Sequence, residues 1–299
     1  MTFMKMRVIL TGLAMAMGLT VSARGLNTAA LDSLRSYLAS LDARVGVAVV
    51  ADSCIFEYRS EECLPMMSVV KFPLALAVAE KLRRDGSSLD IIVPVKASQL
   101  HTDTHSPMLK RYPAGKPFRT TVRELLEYSL AQSDNNACDI LIDYIGGIDS
   151  LRNCKALLGH EGIEIHRTEA DMHADVMSSY DNCATAATLA RLMREFDVKA
   201  NDPLSLEIKN IMERCGTGDK RLPCPLQENG TVIGHKTGTG PINPHTGRIM
   251  AINDAGYVHL PQGTSYAIAV LVADTPYDMA TNEAIIARVS AYIRDAVAK

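Results

Sequence analysis

Apolar residues recur at three- and four-residue spacing near both ends of the chain, and each stripe predicts an amphipathic helix. The first stripe follows a helix cap at Asn27-Thr28 and consists of Leu31, Leu34, Leu38 and Leu41. The last stripe consists of Ile285, Ile286, Val289, Ile293 and Val297. Between these two helices along the chain, shorter apolar runs predict strands over residues 45–50, 54–58, 231–236, 249–258 and 266–273.

The middle of the chain, from Ser68 to about Cys215, carries helical signals separated by loops. One apolar helical run begins at Ser68, and further helices are predicted over 121–131, 136–144 and 183–196. A capping-box pattern of Thr121 and Glu124 marks the start of the second helix.

Strands at both ends and helices between them predict an α+β fold. Both chain ends would pair in one antiparallel sheet flanked by the terminal helices, with an all-helical domain inserted between them. The predicted division assigns residues 24–66 and 216–299 to an α/β domain and residues 67–215 to the helical domain. The cleft between the two domains is the expected place for a functional site.

The composition of the 299-residue chain, 47% hydrophobic and 22% charged, is that of an ordinary globular protein. A formal net charge of −3 provides no basic surface for nucleic acid. We therefore expect no nucleic-acid partner.

The first residues resemble a secretory signal peptide over 1–23. Lys5 and Arg7 precede an apolar run from Val8 to Val21, and Val21-Ser22-Ala23 offers small residues at a cleavage site before Arg24. The run is short for a membrane span; the alternative is a retained anchor. We expect a soluble exported or periplasmic monomer without a stable membrane anchor.

Seven cysteines permit disulfides in an exported protein, and the odd count leaves at least one free thiol. The sequence does not decide their pairing, although Cys215 and Cys224 lie close together along the chain. No Cys-x-x-Cys or Cys/His pattern indicates zinc, and nothing in the sequence calls for a metal or another cofactor.

Ser68 and Lys71 stand three residues apart where an apolar helical run begins. Residues at this spacing share a helix face, so the amine can reach the hydroxyl. A serine needs a neighbouring base to become a nucleophile, and a helix N-terminus offers unpaired N–H groups to a developing negative charge. Taken alone, the pair is more often a solvated helix face.

Two further motifs follow in order. Ser133-Asp134-Asn135 separates two predicted helices, and Lys236-Thr237-Gly238 ends a predicted strand. Each has a structural alternative, a helix cap and a strand-end turn respectively. With Ser68-x-x-Lys71 they form the triple of penicillin-binding proteins and class A β-lactamases. Over nearly the whole mature chain, the sequence resembles a class A serine β-lactamase.

The resemblance implies a role for each motif residue. Ser68 would attack the lactam carbonyl, and Lys71 and Ser133 would relay its proton to the leaving nitrogen. Asn135 would hold the substrate's side-chain amide, and Lys236 would attract its carboxylate. The N–H groups of Ser68 and Thr239 would form the oxyanion hole.

Four more residues are assigned through the resemblance. The Thr237 and Thr239 hydroxyls could reach the substrate carboxylate. Arg221 matches a guanidinium that some class A members supply for this carboxylate; the alternative is a solvated loop arginine. His105 stands where many members place an aromatic residue at the cleft mouth; the alternative is an exposed loop histidine.

Glu169 matches the carboxylate that activates water in the lactamase branch. The chain departs from the family pattern around it: Ala170 replaces a common proline, His173 a common asparagine, and Asn182 a loop-closing aspartate. Arg167 could then hydrogen-bond across the loop but not form an ion pair. His173 either orients the water or packs, and Asp171 is an alternative base. These departures resemble a divergent branch with broad cephalosporin use.

The resemblance implies hydrolysis of penicillins or cephalosporins through an acyl-enzyme on Ser68, and so antibiotic resistance. The alternatives are a penicillin-binding DD-peptidase, a slow-deacylating β-lactam sensor, and an amidohydrolase such as a glutaminase. Glu169 favours the lactamase because the others have no need of rapid deacylation.

Overall fold

The computed structural model describes residues 25–297. The signal peptide predicted over 1–23 and its cleavage site lie outside the described residues. In chain order the helices and strands are α1 (Thr28–Ala39), β1 (Arg44–Val50), β2 (Cys54–Tyr58), β3 (Leu64–Pro65), α2 (Lys71–Arg84), β4 (Ile92–Val95), β5 (Phe118–Thr121), α3 (Val122–Leu126), α4 (Asn135–Ile145), α5 (Ile148–Arg152), β6 (Ile163–Glu164), α6 (Glu169–Ala174), β7 (Cys183–Ala184), α7 (Ala186–Lys199), α8 (Pro203–Glu213), β8 (Val232–Thr239), β9 (Ile249–His259), β10 (Ser265–Thr275) and α9 (Met279–Val297).

A five-stranded antiparallel sheet joins the two ends of the described chain, with strand order β2-β1-β10-β9-β8. Strand β1 pairs with β10 from Arg44 opposite Ala273 to Val50 opposite Ala267. The predicted α+β fold, with one sheet built from both chain ends, is confirmed.

Alternation along the strands divides the sheet between two cores. Val45, Val47 and Val49 of β1 face the layer of α1 and α9. Ala48 points to the opposite face, where small residues such as Ala267 and Ala269 let α7 lie against β1 and β10. The inserted helices pack around α2 on this second side.

The inserted segment, predicted to be all-helical, also contains short strands. β4 pairs with β5, and β6 and β7 form a three-stranded sheet with β3. Residues 183–196 were predicted as one helix, but Cys183-Ala184 form β7 and the helix begins at Ala186, after the Thr185 cap. Strands of two to four residues show too little alternation to be recognised in a sequence.

The predicted helix over 121–131 also differs. Thr121 caps Glu124 N, but the Glu124 carboxylate accepts hydrogen bonds from Tyr112 and Thr120 instead of completing a capping box. The α-helix ends at Leu126 and continues as a π-helical turn over Glu127–Ala131.

A disulfide joins Cys63 to Cys183. Within residues 25–297 the other five cysteines are free, including Cys215 and Cys224. No helix of this part of the chain combines the length and apolar character needed to cross a membrane.

Candidate active site

Ser68 lies in a 3₁₀ turn, Met67–Val70, that leads into α2. Met67 has a φ of 49°, a left-handed conformation that costs energy for a residue with a side chain. The turn places Ser68 at the helix entry, as predicted, and leaves it partly exposed. Lys71 follows in the first turn of α2, and its Nζ lies 3.1 Å from Ser68 Oγ.

The Lys71 side chain is completely buried, so its ammonium depends on protein partners. Nζ donates to Asn135 Oδ1 at 2.6 Å and to the Ser133 carbonyl at 2.9 Å. Glu169 Oε1 lies 3.0 Å away, an ion-pair contact without hydrogen-bond alignment. One amine therefore connects the serine, the loop between α3 and α4, and the carboxylate.

Ser133 and Asp134 lie in the loop after the π-helical turn, and Asn135 begins α4. Ser133 has a φ of 57°, again left-handed. Asp134 caps α4 through Ala137 N and also accepts hydrogen bonds from Ser106 and Met108 N, which fixes the loop. The predicted helix cap and the predicted site residues are therefore parts of one structure.

Lys236 lies opposite Lys71 in the cleft. Its Nζ donates to Ser133 Oγ at 2.9 Å and to the Thr237 carbonyl at 2.8 Å. Complete burial and, to a smaller extent, the nearby Lys71 charge lower the pKa of Lys236 to about 8. Lys236 thus holds the Ser133 hydroxyl while remaining protonated at neutral pH.

The Lys236-Thr237-Gly238 motif is not a strand-end turn, because β8 continues through it to Thr239. A Cβ on Gly238 would collide with the Met66 carbonyl oxygen. Glycine is required here because the strand passes directly against the segment that carries Ser68.

Arg221 is 4% exposed, so the solvated-loop alternative is wrong. Its guanidinium donates to the Gly238 and Asn253 carbonyls at 3.1 and 3.0 Å and to Thr239 Oγ1 at 2.8 Å. The Thr237 hydroxyl lies 2.6 Å from that of Thr217. These contacts place a positive charge and two hydroxyls beside Lys236.

Glu169 begins the short helix α6, and its side chain is 11% exposed. The Asp139 carboxylate on α4 accepts hydrogen bonds from Glu169 N and Ala170 N, both at 2.8 Å. Because Asp139 follows Asn135 by one helical turn, α4 fixes both the Asn135 amide and the backbone of Glu169.

The other candidates for a base on this loop have other partners, although His173 also lines the cleft. Asp171 accepts hydrogen bonds from Thr168 N and Thr168 Oγ1 at the start of α6. His173 is exposed, and its Nε2 lies 2.8 Å from Asp103 Oδ2. His105 is also exposed at the cleft mouth, with Nε2 3.0 Å from the Gln132 carbonyl.

The predicted contact of Arg167 across the loop runs through its backbone. Arg167 N donates to Asn182 Oδ1, whereas the guanidinium pairs with Asp181 at 2.8 Å. The prediction that Arg167 forms no ion pair across the loop is therefore wrong, because Asp181, next to Asn182, pairs with the guanidinium.

Comparison with known proteins identifies the family. Residues 29–297 match the model of the β-lactamase enzyme family. A β-lactamase of Bacteroides uniformis is 40% identical over 88% of this chain and 89% of its own length. The extended-spectrum β-lactamase PER-1 of Pseudomonas aeruginosa is 33% identical over 87% of this chain and 84% of its own. The chain belongs to the β-lactamase enzyme family.

Solved class A structures share this fold. A class A β-lactamase from Bacteroides cellulosilyticus has a TM-score of 0.84 at 34% identity, covering 90% of this chain and 97% of its own. The TLA-1 extended-spectrum β-lactamase has a TM-score of 0.86 at 35% identity, covering 91% of this chain and 99% of its own.

In this class A member a cleft of about 540 Å³ is lined by side chains from every predicted motif. A larger cleft of about 950 Å³ lies between α2, α7 and α8, and none of the predicted site residues lines it. Its size therefore does not mark it as the reaction site. Within residues 25–297 no group of three His, Cys, Asp or Glu side chains is placed to hold a metal ion.

Two contributors to the class A cleft were absent from the sequence-based prediction. Asp139 lies one turn beyond Asn135 on α4, and this spacing was its only sequence signal. Thr217 contacts Thr237 from the segment after α8, and no local pattern reveals this contact because the two residues are 20 positions apart along the chain.

Proposed function

We propose that the protein hydrolyses the amide bond of β-lactam rings through an acyl-enzyme on Ser68. One observation carries the proposal: Lys71 Nζ lies 3.1 Å from Ser68 Oγ and 3.0 Å from Glu169 Oε1. The same amine thus contacts the candidate nucleophile and the candidate base for deacylation. A DD-peptidase or a slow sensor has no comparable need of that carboxylate.

Acylation proceeds from the form in which the Lys71 amine is neutral: Ser68 Oγ attacks the lactam carbonyl as its proton passes to that amine. The proton passes through Ser133 to the ring nitrogen as the carbon–nitrogen bond breaks. The hydrogen bond from Lys236 to Ser133 Oγ supports this relay because it orients the hydroxyl. The N–H groups of Ser68 and Thr239 stabilise the oxyanion.

Deacylation requires a base that takes a proton from water as the water attacks the Ser68 ester. We assign this role to Glu169, which lines the same cleft as Ser68 and whose Oε1 has no aligned hydrogen-bond donor among residues 25–297. Attack regenerates the serine hydroxyl and releases the ring-opened acid.

Substrate binding uses the polar rim of the same cleft. Lys236, Thr237, Thr239 and Arg221 surround the position of the substrate carboxylate, and a guanidinium suits the geometry of that group. Asn135 holds the substrate's side-chain amide, and His105 contacts the substrate at the mouth. Penicillins and cephalosporins are the proposed substrates. The extended-spectrum names of two relatives support a cephalosporinase activity.

The proposed domains are those predicted from the sequence: 24–66 with 216–299, and 67–215. Ser68, at their junction, takes its partners from both.

We further propose export to the periplasm as a monomer after cleavage before Arg24, since Lys5 and Arg7 precede an apolar run. An intact mass that includes residues 1–23 in periplasmic protein would contradict this cleavage.

Turnover of a chromogenic cephalosporin tests the proposed function. The purified protein should hydrolyse it and carry a transient adduct on Ser68. Ser68→Ala should abolish turnover and labelling, whereas Ser36→Ala, on the exposed face of α1, should change neither. An adduct mapped to another residue would overturn the assignment.

A further inference from the structure

The disulfide between Cys63 and Cys183 lies where the nucleophile segment, residues 63–68, meets the loop that carries Glu169. Cys63 precedes Ser68 by five positions. Cys183 directly follows the catalytic loop, defined here as residues 167–182. The bond therefore cross-links the chain leading to Ser68 with the end of the loop that holds Glu169.

The neck of the catalytic loop is closed by neutral hydrogen bonds and one exposed ion pair. Asn182 Oδ1 accepts from His166 N and Arg167 N at 2.8 and 2.9 Å, and Asn182 Nδ2 donates to the Arg167 carbonyl at 2.9 Å. The Arg167 guanidinium also pairs with Asp181 across the neck at 2.8 Å, but both side chains are more than 40% exposed, so solvent screens this ion pair. Neutral hydrogen bonds contribute less than charged ones.

Other non-covalent contacts between the loop end and the nucleophile segment are few. Met66 N donates to the Asn182 carbonyl at 2.9 Å, and β3 pairs with β7 over only two residues on each strand. The loop has further anchors, Asp139 at its start and the Tyr180–Asp274 hydrogen bond near its end. These anchors fix the loop to α4 and β10, not to the chain before Ser68.

We propose that the Cys63–Cys183 disulfide is a positioning element for deacylation, which holds the Glu169 loop in register with Ser68. The inference rests on the proposed acyl-enzyme function. Lys71 contacts Ser68 from α2, and Ser133 and Lys236 join this network from the α3–α4 loop and β8, so acylation does not depend on this link. Glu169 is carried by the loop itself, and a misplacement of about 1 Å can cost roughly 10²-fold in rate.

The disulfide is partly exposed, so its removal can be tested on the folded protein. The variant Cys63→Ser/Cys183→Ser and the wild type are mixed with excess cephalosporin, and intact mass is followed in time. We expect the deacylation rate constant to fall roughly tenfold or more, the acylation rate constant to stay within about twofold, and acyl-enzyme to accumulate. Cys54→Ser, at an exposed free cysteine, should behave as the wild type.

Reduction provides a second route that does not depend on folding of the variant. Dithiothreitol converts the bond into two thiols and is itself oxidised to a cyclic disulfide. It should slow deacylation of the wild type, and reoxidation should restore it.

Deacylation that is unchanged in both reduced and substituted protein would overturn the inference. An equal fall of both rate constants would also overturn it, because that result indicates general loosening. If the wild type forms no Ser68 adduct, the proposed function itself fails, an outcome distinct from the other two.

Discussion

Glu169 is surrounded by side chains of similar chemistry, and their contacts distinguish it from them. Asp171 is used to cap α6, and His173 is paired with Asp103 at the surface. Glu169 alone of the three contacts Lys71. The sequence named all three as candidates. They stand two residues apart along the chain, and only their contacts in the folded protein separate them.

Lys236 predicts a pH dependence at the alkaline side. Its pKa is lowered to about 8 by burial, so the charge that attracts the substrate carboxylate is present below pH 8 and lost above it. Since kcat/KM reports the free enzyme, kcat/KM for a carboxylate-bearing cephalosporin should fall as pH rises through about 8. Lys236→Arg should remove this alkaline limb, and a flat wild-type profile between pH 7 and 9.5 would contradict the assignment.

Arg221 has two tasks that a single substitution separates poorly. Its guanidinium adds charge beside Lys236 and also satisfies two buried carbonyls. Arg221→Ala should reduce kcat/KM by a factor equivalent to about 1–3 kcal/mol of lost transition-state stabilisation. The same substitution should lower the Tm. Substrates without the ring carboxylate serve as the control, since they should lose less activity. Unchanged kcat/KM across several β-lactams would exclude a role in binding.

The helices and strands that were predicted well are those whose apolar pattern repeats several times. The stripes of α1 and α9 and the alternation of β1, β9 and β10 extend over several turns or residue pairs, so tertiary contacts move only their ends. The two-residue strands β3, β6 and β7 depend on pairing between distant parts of the chain. Leu64 of β3, for example, pairs with Ala184 of β7, more than a hundred residues away. Helix α8, after the Asp202 cap and Pro203, was overlooked although its cap was visible in the sequence.

Helix α4 carries both Asn135 and Asp139, and the buried Asp139 carboxyl predicts a pH-dependent stability. Desolvation raises the pKa of Asp139 to about 7 from 3.8, despite two N–H donors that favour the charged form. The native state therefore keeps a proton that the unfolded state loses, and the free energy of unfolding falls as pH rises from about 4 to 7.

Asp139→Asn cannot titrate and supplies the comparison. The difference in Tm between wild type and Asp139→Asn should shrink or reverse in favour of the variant between pH 5 and pH 8. A difference that is constant, or that grows in favour of the wild type, would show that Asp139 is ionised throughout this range.

At the scale of the whole molecule, the site depends on a chain that leaves one sheet and returns to it. β1 and β2 precede the inserted segment and β8 to β10 follow it, so Ser68 at the departure meets Lys236 at the return. The order of the motifs along the sequence indicated this meeting. The Cys63–Cys183 bond and the contacts of Asp139 were not predictable, because they depend on how the loop folds back over the cleft.

The most direct test of the account is the fate of the Ser68 ester when Glu169 is changed to Gln. Rapid mixing of Glu169→Gln with a cephalosporin, followed by intact-mass detection, measures formation and loss of the acyl-enzyme separately. The account predicts a burst, an accumulated adduct on Ser68 and hydrolysis slowed by roughly 10²–10⁴-fold, the loss typical of a positioned base. Wild-type turnover by Glu169→Gln with no trapped adduct would contradict it.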